Sequence, residues 1–496
     1  MNITFENYIR ELGFEKYPFR DRTAEKEDTG KLFIEPEQYS MLVNSFCDNQ
    51  TCIINGDRGT GKTIIIDDLI RRVKKEKLVA NISNFQTVSL ENNILDFYDL
   101  ILQEITRSLL IYLNNNRKKI RKLLYDEKVL ISFLIMRYGD AITDSQLRKQ
   151  IEEIQLSKWK RILNVISKPI TNIVNYGGTA ITNFGNQFLT KTFGAYFPEA
   201  NSDEIIKIFP NIKFGVVDDF KSIEISYSML NMVVEYIRNI MGSPIIVFMD
   251  KFDEDSRIEN DADILATFLK DMLSDNALLL NDNLQLVISI WRIAFKKLST
   301  NFRRSKHYVF DILWSSSYLE DVLNHRLQVF SNNKINRWED MFSENDVTFD
   351  DILSLSNGNP RDLWDIMDNI IRTQYELDSA QRKLACDSVN LGMKRFVSKF
   401  NFYEYYPKRK KARKNTNDIY SYITILLFLK QTDEFTNGEL RDAATLGGSA
   451  TNYITSMQTI GLIEKTDRKR TGGAVIYKII DPKVRYAIYH EIEIVH

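Results

Sequence analysis

The chain is 496 residues long with a formal net charge of −1 and 27% charged residues, so no global field selects nucleic acid or an anionic membrane, and any such surface must be local. Its 44% hydrophobic content can fill packed cores in about three domains. Three cysteines without a C-x-x-C pair, Cys47, Cys52 and Cys386, argue against a disulfide framework; no window reaches the roughly 18 apolar residues of a membrane span, and the expectation is a cytoplasmic protein without stable membrane insertion.

Residues 1–50 read as an N-terminal arm: Tyr17-Pro18-Phe19-Arg20, a charged run Ala24-Glu25-Lys26-Glu27-Asp28, then helical spacing through Tyr39, Leu42, Val43 and Phe46. The apolar run Thr51-Cys52-Ile53-Ile54 comes next, followed by Gly56-Asp57-Arg58-Gly59-Thr60-Gly61-Lys62-Thr63 and then Ile64-Ile65-Ile66-Asp67-Asp68-Leu69-Ile70. Strand, glycine loop and helix in that order are the context of a P-loop, and every fixed position of G-x-x-x-x-G-K-[ST] is filled. The glycines let backbone N–H groups turn onto phosphate oxygens, and the helix start adds the positive end of its dipole. Gly56 to Ile64 are therefore the candidate ligands of ATP, with Lys62 expected at the β- and γ-phosphates and the Thr63 hydroxyl on Mg²⁺. The Tyr-Pro-Phe stretch then has two readings, a cover over the adenine or a turn anchoring the arm to the core.

A second strand is expected at Leu78-Val79-Ala80-Asn81-Ile82-Ser83, making the fold α/β with a parallel sheet. From about residue 90 to 240 the pattern becomes helical, with Ile94, Phe97, Ile101, Leu102 and Ile105 on one face, which predicts a large helical insertion. Within it, Arg117-Lys118-Lys119-Ile120-Arg121-Lys122 reads as a solvated helix face, with phosphate contact as the alternative. Residues 162–197, with Gly177, Gly178, Gly185 and Gly194 among apolar neighbours, read as a flexible segment that packs on a partner or neighbouring subunit.

Ile245-Ile246-Val247-Phe248-Met249-Asp250 is a buried strand ending in a carboxylate, the Walker B pattern, with Asp250 expected to order Mg²⁺ or its water shell. The following Lys251-Phe252-Asp253-Glu254 adds two acids, either of which can polarise the attacking water. Leu284 to Arg292 is a strand expected beside the Walker B strand, with Ser289 or Arg292 near the γ-phosphate. Phe302-Arg303-Arg304-Ser305 precedes a strand over Tyr308–Trp314, which closes an ATPase core over 51–316.

A helical lid follows over 317–406, with Ser317 as the expected cap of its first helix. Asn357-Gly358-Asn359-Pro360-Arg361 leads into another helix; Pro360 suits an early helical position, and Arg361 in the first turn opposes the helix dipole, which calls for an anionic neighbour such as a phosphate. The linker at 407–414 carries six positive charges. Beyond it, over 415–496, helices at Ile419–Lys430, Thr436–Thr445 and Ala450–Ile460 precede a hairpin of Leu462–Lys465 and Ala474–Ile479 around 466–473, which together read as a winged helix. Its third helix offers Thr451, Asn452, Thr455 and Ser456 but no Lys or Arg, which favours a protein-facing or autoinhibitory role over duplex DNA.

Taken together, this order resembles AAA+ ATPases of the origin-recognition and STAND type, and the Tyr-Pro-Phe opening and Asp-Lys-Phe-Asp-Glu box look like bacterial P-loop ATPases often encoded in phage-defence loci. The resemblance implies nucleotide-driven homo-oligomerisation, sensor 1 at Ser289 or Arg292, a trans-acting arginine finger at Arg303 or Arg304, and sensor 2 at Arg361. One departure stands out: the position after the Walker B aspartate, usually glutamate, is Lys251. Either Asp253 or Glu254 replaces it, or turnover is slow and the protein acts as an ATP-bound switch. The leading expectation is a signalling or antiviral-defence ATPase that controls a separate effector protein; the alternatives are a DNA-bound initiator, loader or transposition-type ATPase and a scaffold without turnover.

Overall fold

The computed structural model describes residues 3–20, 29–116, 134, 223–298, 302–343, 349–406, 418–470 and 472–494. Three helices, α1 (Phe5–Glu11), α2 (Thr29–Leu32) and α3 (Tyr39–Cys47), precede the first strand. The strands β1 (Cys52–Gly56), β2 (Val79–Ile82), β3 (Ile245–Met249), β4 (Leu284–Trp291) and β5 (Tyr308–Asp311) form a parallel sheet in the order β2-β3-β4-β1-β5. Every residue of β1, β3 and β4 is buried, which is why these strands are continuous apolar runs rather than alternating ones. The chain is thus an α/β protein with a P-loop-type sheet. Its last two strands end sooner than the sequence suggests, because Arg292 already begins a helix and the chain leaves the sheet after Asp311.

Helix α4 (Lys62–Val73) follows β1, α5 (Ile94–Asn115) follows β2, and α6 (Ile223–Met241) leads into β3. After β3 come α7 (Ala262–Ser274) and α8 (Asn276–Leu279), and after β4 comes α9 (Arg292–Leu298). One face of the sheet is covered by α5, α6, α7 and α9, the other by α3 and α4. The predicted face of α5, Ile94, Phe97, Ile101, Leu102 and Ile105, is buried throughout. Of the expected insertion, α5 and α6 lie within the description and pack together; the basic run from Arg117 to Lys122 and the segment 162–197 lie outside the described residues.

The segment expected as a lid comprises α10 (Ser316–Ser331), α11 (Phe349–Ser356), α12 (Pro360–Leu377) and α13 (Cys386–Ser398), closed by a 3₁₀ turn at Phe402–Glu404. Ser317 does not cap α10: the helix starts two residues earlier than expected, and Ser315 stands in the cap position with no side-chain cap bond. Helices α12 and α13 meet at Gly392, where an added Cβ would lie 2.7 Å from Ile370 Cα and 2.9 Å from its backbone N. Backbone cannot step aside as a side-chain tip can, so Gly392→Ala is expected to wedge the two helices apart at a cost of about 1–3 kcal/mol. A thermal melt of the purified variant reads this directly, and a midpoint equal to wild type would show that the contact carries no such constraint.

The C-terminal part contains α14 (Ile419–Leu427), β6 (Glu434–Thr436), α15 (Asn437–Ala443), α16 (Ala450–Thr459), β7 (Ile463–Lys469), β8 (Val475–Ile479) and α17 (Pro482–Tyr489). The three strands pair antiparallel in the order β6-β8-β7. The hairpin is longer than predicted, since β7 continues through Lys469 past an irregularity between Lys465 and Lys469, and β6 adds a strand that the sequence pattern hides in three residues. The helix starting after Thr436 carries a capping box with Glu439. The linker 407–414 lies outside the described residues. The spans it separates share one apolar core all the same: Tyr8, Phe14 and Phe19 of the arm pack with Leu319, Trp364 and Ile370 of the lid and with Phe435, Leu462 and Val484 beyond.

Candidate functional site

The loop between β1 and α4 is shaped by its glycines. Gly59 and Gly61 adopt φ of +82° and +96°, which side-chain-bearing residues rarely take, and a Cβ on Gly56 would lie 2.6 Å from Thr60 Oγ1. Thr60 Oγ1 donates to the Asp57 carbonyl at 2.7 Å, and Trp314 Nε1 donates to the Thr60 carbonyl at 3.0 Å. Lys62 opens α4 and is buried; its Nζ donates to the carbonyls of Gly56 at 3.1 Å and Asp57 at 3.0 Å. Burial pushes its ammonium below the ordinary lysine value, against the carboxylates of Asp253, Asp250 and Asp57, which favour the charge.

Asp250, at the carboxyl end of β3, accepts from Thr63 Oγ1 at 2.7 Å and from Ser289 Oγ. Three elements therefore converge here: the first turn of α4, the end of β3, and β4, whose position between β1 and β3 brings Ser289 alongside. Ser289 is committed to Asp250 and does not line the cavity. Arg292 does not line it either; its Nε lies 3.4 Å from Asp57 Oδ2, and its guanidinium donates to the Ile312 carbonyl at 2.7 Å. The two residues expected near the γ-phosphate are thus held by protein partners, Ser289 by Asp250 and Arg292 by Asp57 and the Ile312 carbonyl.

Lys251 takes a left-handed backbone, φ 68°, and the chain then turns through a 3₁₀ segment at Phe252–Glu254, with the Phe252 ring stacked 4.0 Å from Phe85. That turn separates the two acids. Asp253 is held by Arg58 Nε at 2.6 Å; burial raises its pKa, but Lys62 and Arg58 outweigh burial and hold the carboxyl below the usual range. Arg58 also donates to Asn260 Oδ1 at 2.5 Å and lies 4.5 Å from the centre of the Trp291 ring. Glu254 is 66% exposed at its side chain, lines the cavity and lies 3.9 Å from Lys251 Nζ.

The cavity over the loop has a volume of about 720 Å³, within the usual span of small-molecule sites. Residues Arg58 to Ile65, with Asp250, Asp253 and Glu254, form its floor; Pro360, Arg361, Trp364 and Glu404 of the lid face them. Arg361 follows Pro360 at the start of α12, where Asn359 Oδ1 caps its N–H at 2.9 Å, and its guanidinium lies 3.7 Å from Glu404. The anionic neighbour that the sequence calls for is therefore, in part, a protein carboxylate.

The apolar end of the cavity is formed by Leu32, Phe33, Ile34 and Pro36 with Trp314, Val322 and Trp364. Sequence reasoning missed these residues, although the apolar Leu32-Phe33-Ile34 with Pro36 just ahead of a helix was a usable signal. The Tyr-Pro-Phe stretch is the anchor instead: Tyr17 OH bonds to Asp368, the Pro18 carbonyl accepts from Arg326 at 2.6 Å, and Phe19 is buried 5.9 Å from the Trp364 ring. Arg303 and Arg304 are exposed between α9 and β5, outside the cavity lining, and Arg304 is paired with Asp311 of the same chain.

No family model matches the chain, and no curated protein does. Solved structures similar to it include Cdc6p from Pyrobaculum aerophilum, at 13% identity and a TM-score of 0.31 over 97% of this chain and 98% of that one. The Aeropyrum pernix ORC2 protein in its ADPNP–ADP complexes is similar at 11% identity, TM-score 0.38, over 97% and 96%. The Thermotoga maritima RuvB Holliday junction branch migration motor is similar at 9% identity, TM-score 0.34, over 95% and 99%.

Proposed function

We propose that this chain is an AAA+-type ATPase that binds ATP with Mg²⁺ between the loop and the lid and turns it over slowly to control a separate effector. The observation that carries this is the meeting of the Thr63 hydroxyl and the Asp250 carboxylate at 2.7 Å, beside a buried Lys62 and under a cavity bounded by Arg361. Two hard oxygen donors suit Mg²⁺, which keeps most of its waters and takes one or two protein ligands together with phosphate oxygens. When bound, the metal supplies charge neutralisation across the phosphates.

The protein's own groups do the rest. Loop amides and the start of α4 face the phosphates, and Lys62 exchanges its two loop carbonyls for phosphate oxygens. Ser289 keeps the Asp250 carboxylate turned toward Thr63. Asp253 and Glu254 both line the cavity, and Glu254 accepts the proton of the attacking water because Asp253 is engaged by Arg58; Lys251 in the usual glutamate position accounts for slow turnover. Phe33, Ile34 and Trp364 enclose the base. Arg303, exposed beyond the cavity, is the cation offered to a neighbouring subunit, and the phage-defence resemblance of the sequence supports an antiviral setting.

Within a winged-helix reading of the C-terminal part, duplex DNA binding is weakened by the wing itself: Arg468 pairs with Glu434, and Arg470 lies 3.5 Å from Glu439. Titration calorimetry with ATP tests the proposal, together with a phosphate-release assay. Saturable binding in Mg²⁺, at least tenfold weaker in excess EDTA, and slow phosphate release are expected; no binding heat at any nucleotide concentration would refute it.

A further inference from the structure

The loop is tied to the far end of the chain by a buried polar chain of contacts. Gly59 admits the lid closely: a Cβ there would lie 2.6 Å from Asn359 Oδ1 and 2.8 Å from Arg361 Cβ. Asn359, 1% exposed, donates from Nδ2 to the Arg58 carbonyl at 2.6 Å and also bonds to Tyr405 OH. Tyr405 OH in turn donates to Asp362 Oδ2 at 2.7 Å. On the other side of Asp362 stands Lys483 of α17, 0% exposed, whose Nζ approaches the same carboxylate oxygen at 2.8 Å as an ion pair and rests 4.5 Å and 4.7 Å from the ring centres of Phe400 and Tyr405. The neighbouring Tyr406 OH donates at 3.0 Å to Asp481, the residue that caps α17 through the N–H groups of Lys483 and Val484.

Such a chain is a poor way to gain stability alone, because a buried ion pair often contributes no more than apolar residues of the same volume. Burial in fact raises the Asp362 carboxyl above its usual range in spite of Lys483. What a buried network does impose is geometry: Lys483 Nζ has the Asp362 ion pair and no hydrogen-bond acceptor beside it, and none of the members can turn to water when one of them moves. We propose that Lys483 is a positioning residue for the phosphate-binding loop, acting through Asp362, Tyr405 and Asn359 on the Arg58 carbonyl, so that ATP occupancy and the seating of α17 are coupled. The coupling rests on the nucleotide-binding reading, and by linkage it is reciprocal.

Hydrogen–deuterium exchange on the full chain, with and without ATP and Mg²⁺, tests it in wild type, Tyr405→Phe and Asn359→Asp. The first variant removes only the hydroxyl between Asn359 and Asp362; the second keeps the cap on Arg361 but removes both amide donations. In wild type, ATP is expected to slow exchange both in residues 56–63 and in α17. In each variant the loop should still be shielded at saturating ATP, with affinity lowered about tenfold, a coupling in the usual range, while the α17 response is lost. An α17 response of wild-type size in either folded variant overturns the proposal, as does wild-type protein whose loop is shielded while α17 is not. Absence of any loop shielding in wild type instead refutes nucleotide binding, and the coupling with it.

Discussion

Lys62→Met is expected to weaken ATP binding about a hundredfold or more while leaving the fold intact. The ammonium is buried and held only about 3 Å from two carbonyls of its own loop, so it is poised at the loop rather than used to hold distant elements together. A charge-assisted hydrogen bond contributes about 1.5–3 kcal/mol, and two such bonds to phosphate oxygens come to about 3 kcal/mol or more, which is at least two decades in Kd. Methionine retains most of the apolar stem, so the melting midpoint should move by only a few degrees. Calorimetry and a thermal melt on the same sample separate the two effects. Binding within fivefold of wild type would remove Lys62, and with it the loop, from the nucleotide site.

The second large effect belongs to Asp250→Asn. The amide oxygen can still accept from Thr63 or Ser289, so the local bonding is largely kept, but the negative charge beside Thr63 is lost. Metal-mediated charge stabilisation in phosphoryl transfer is worth several kcal/mol, and phosphate release should fall about a hundredfold or more. Binding of ATP in EDTA should be unchanged within about twofold, since the substitution removes a metal partner and not a phosphate donor. A variant that releases phosphate at the wild-type rate would show that the metal is held elsewhere.

Much of this site was legible in the chain because its parts are local. A glycine loop with Lys62 and Thr63 can be recognised within eight residues, and a buried strand ending in Asp250 announces itself by its unbroken apolar run. What stayed hidden depended on register and turn geometry. Ser289 bonds to Asp250 because β4 pairs with β3 so that Ile288 stands opposite Met249, a relation no single strand encodes. The division between Asp253 and Glu254 follows from the left-handed Lys251 and the 3₁₀ turn after it, where lysine carries no local signal for such a backbone. Phe33 and Ile34 become a cavity wall only once the arm crosses to the lid, where the Lys31 carbonyl meets His325 at 2.7 Å. The shared core of lid and C-terminal helices was likewise invisible, because the basic run at 407–414 looks like a spacer whether or not its flanks touch.

Of the 5 tryptophans, Trp159 lies outside the described residues; Trp314 and Trp364 line the cavity and Trp291 lies beneath Arg58, whereas Trp338 is sealed in an apolar core away from them. The molecule thus contains its own optical gauge. Emission from Trp314, Trp364 and Trp291 depends on the loop carbonyl and guanidinium beside them, so if the proposed nucleotide binds here, the unlabelled protein is expected to report its entry as a fluorescence change in a stopped-flow cell.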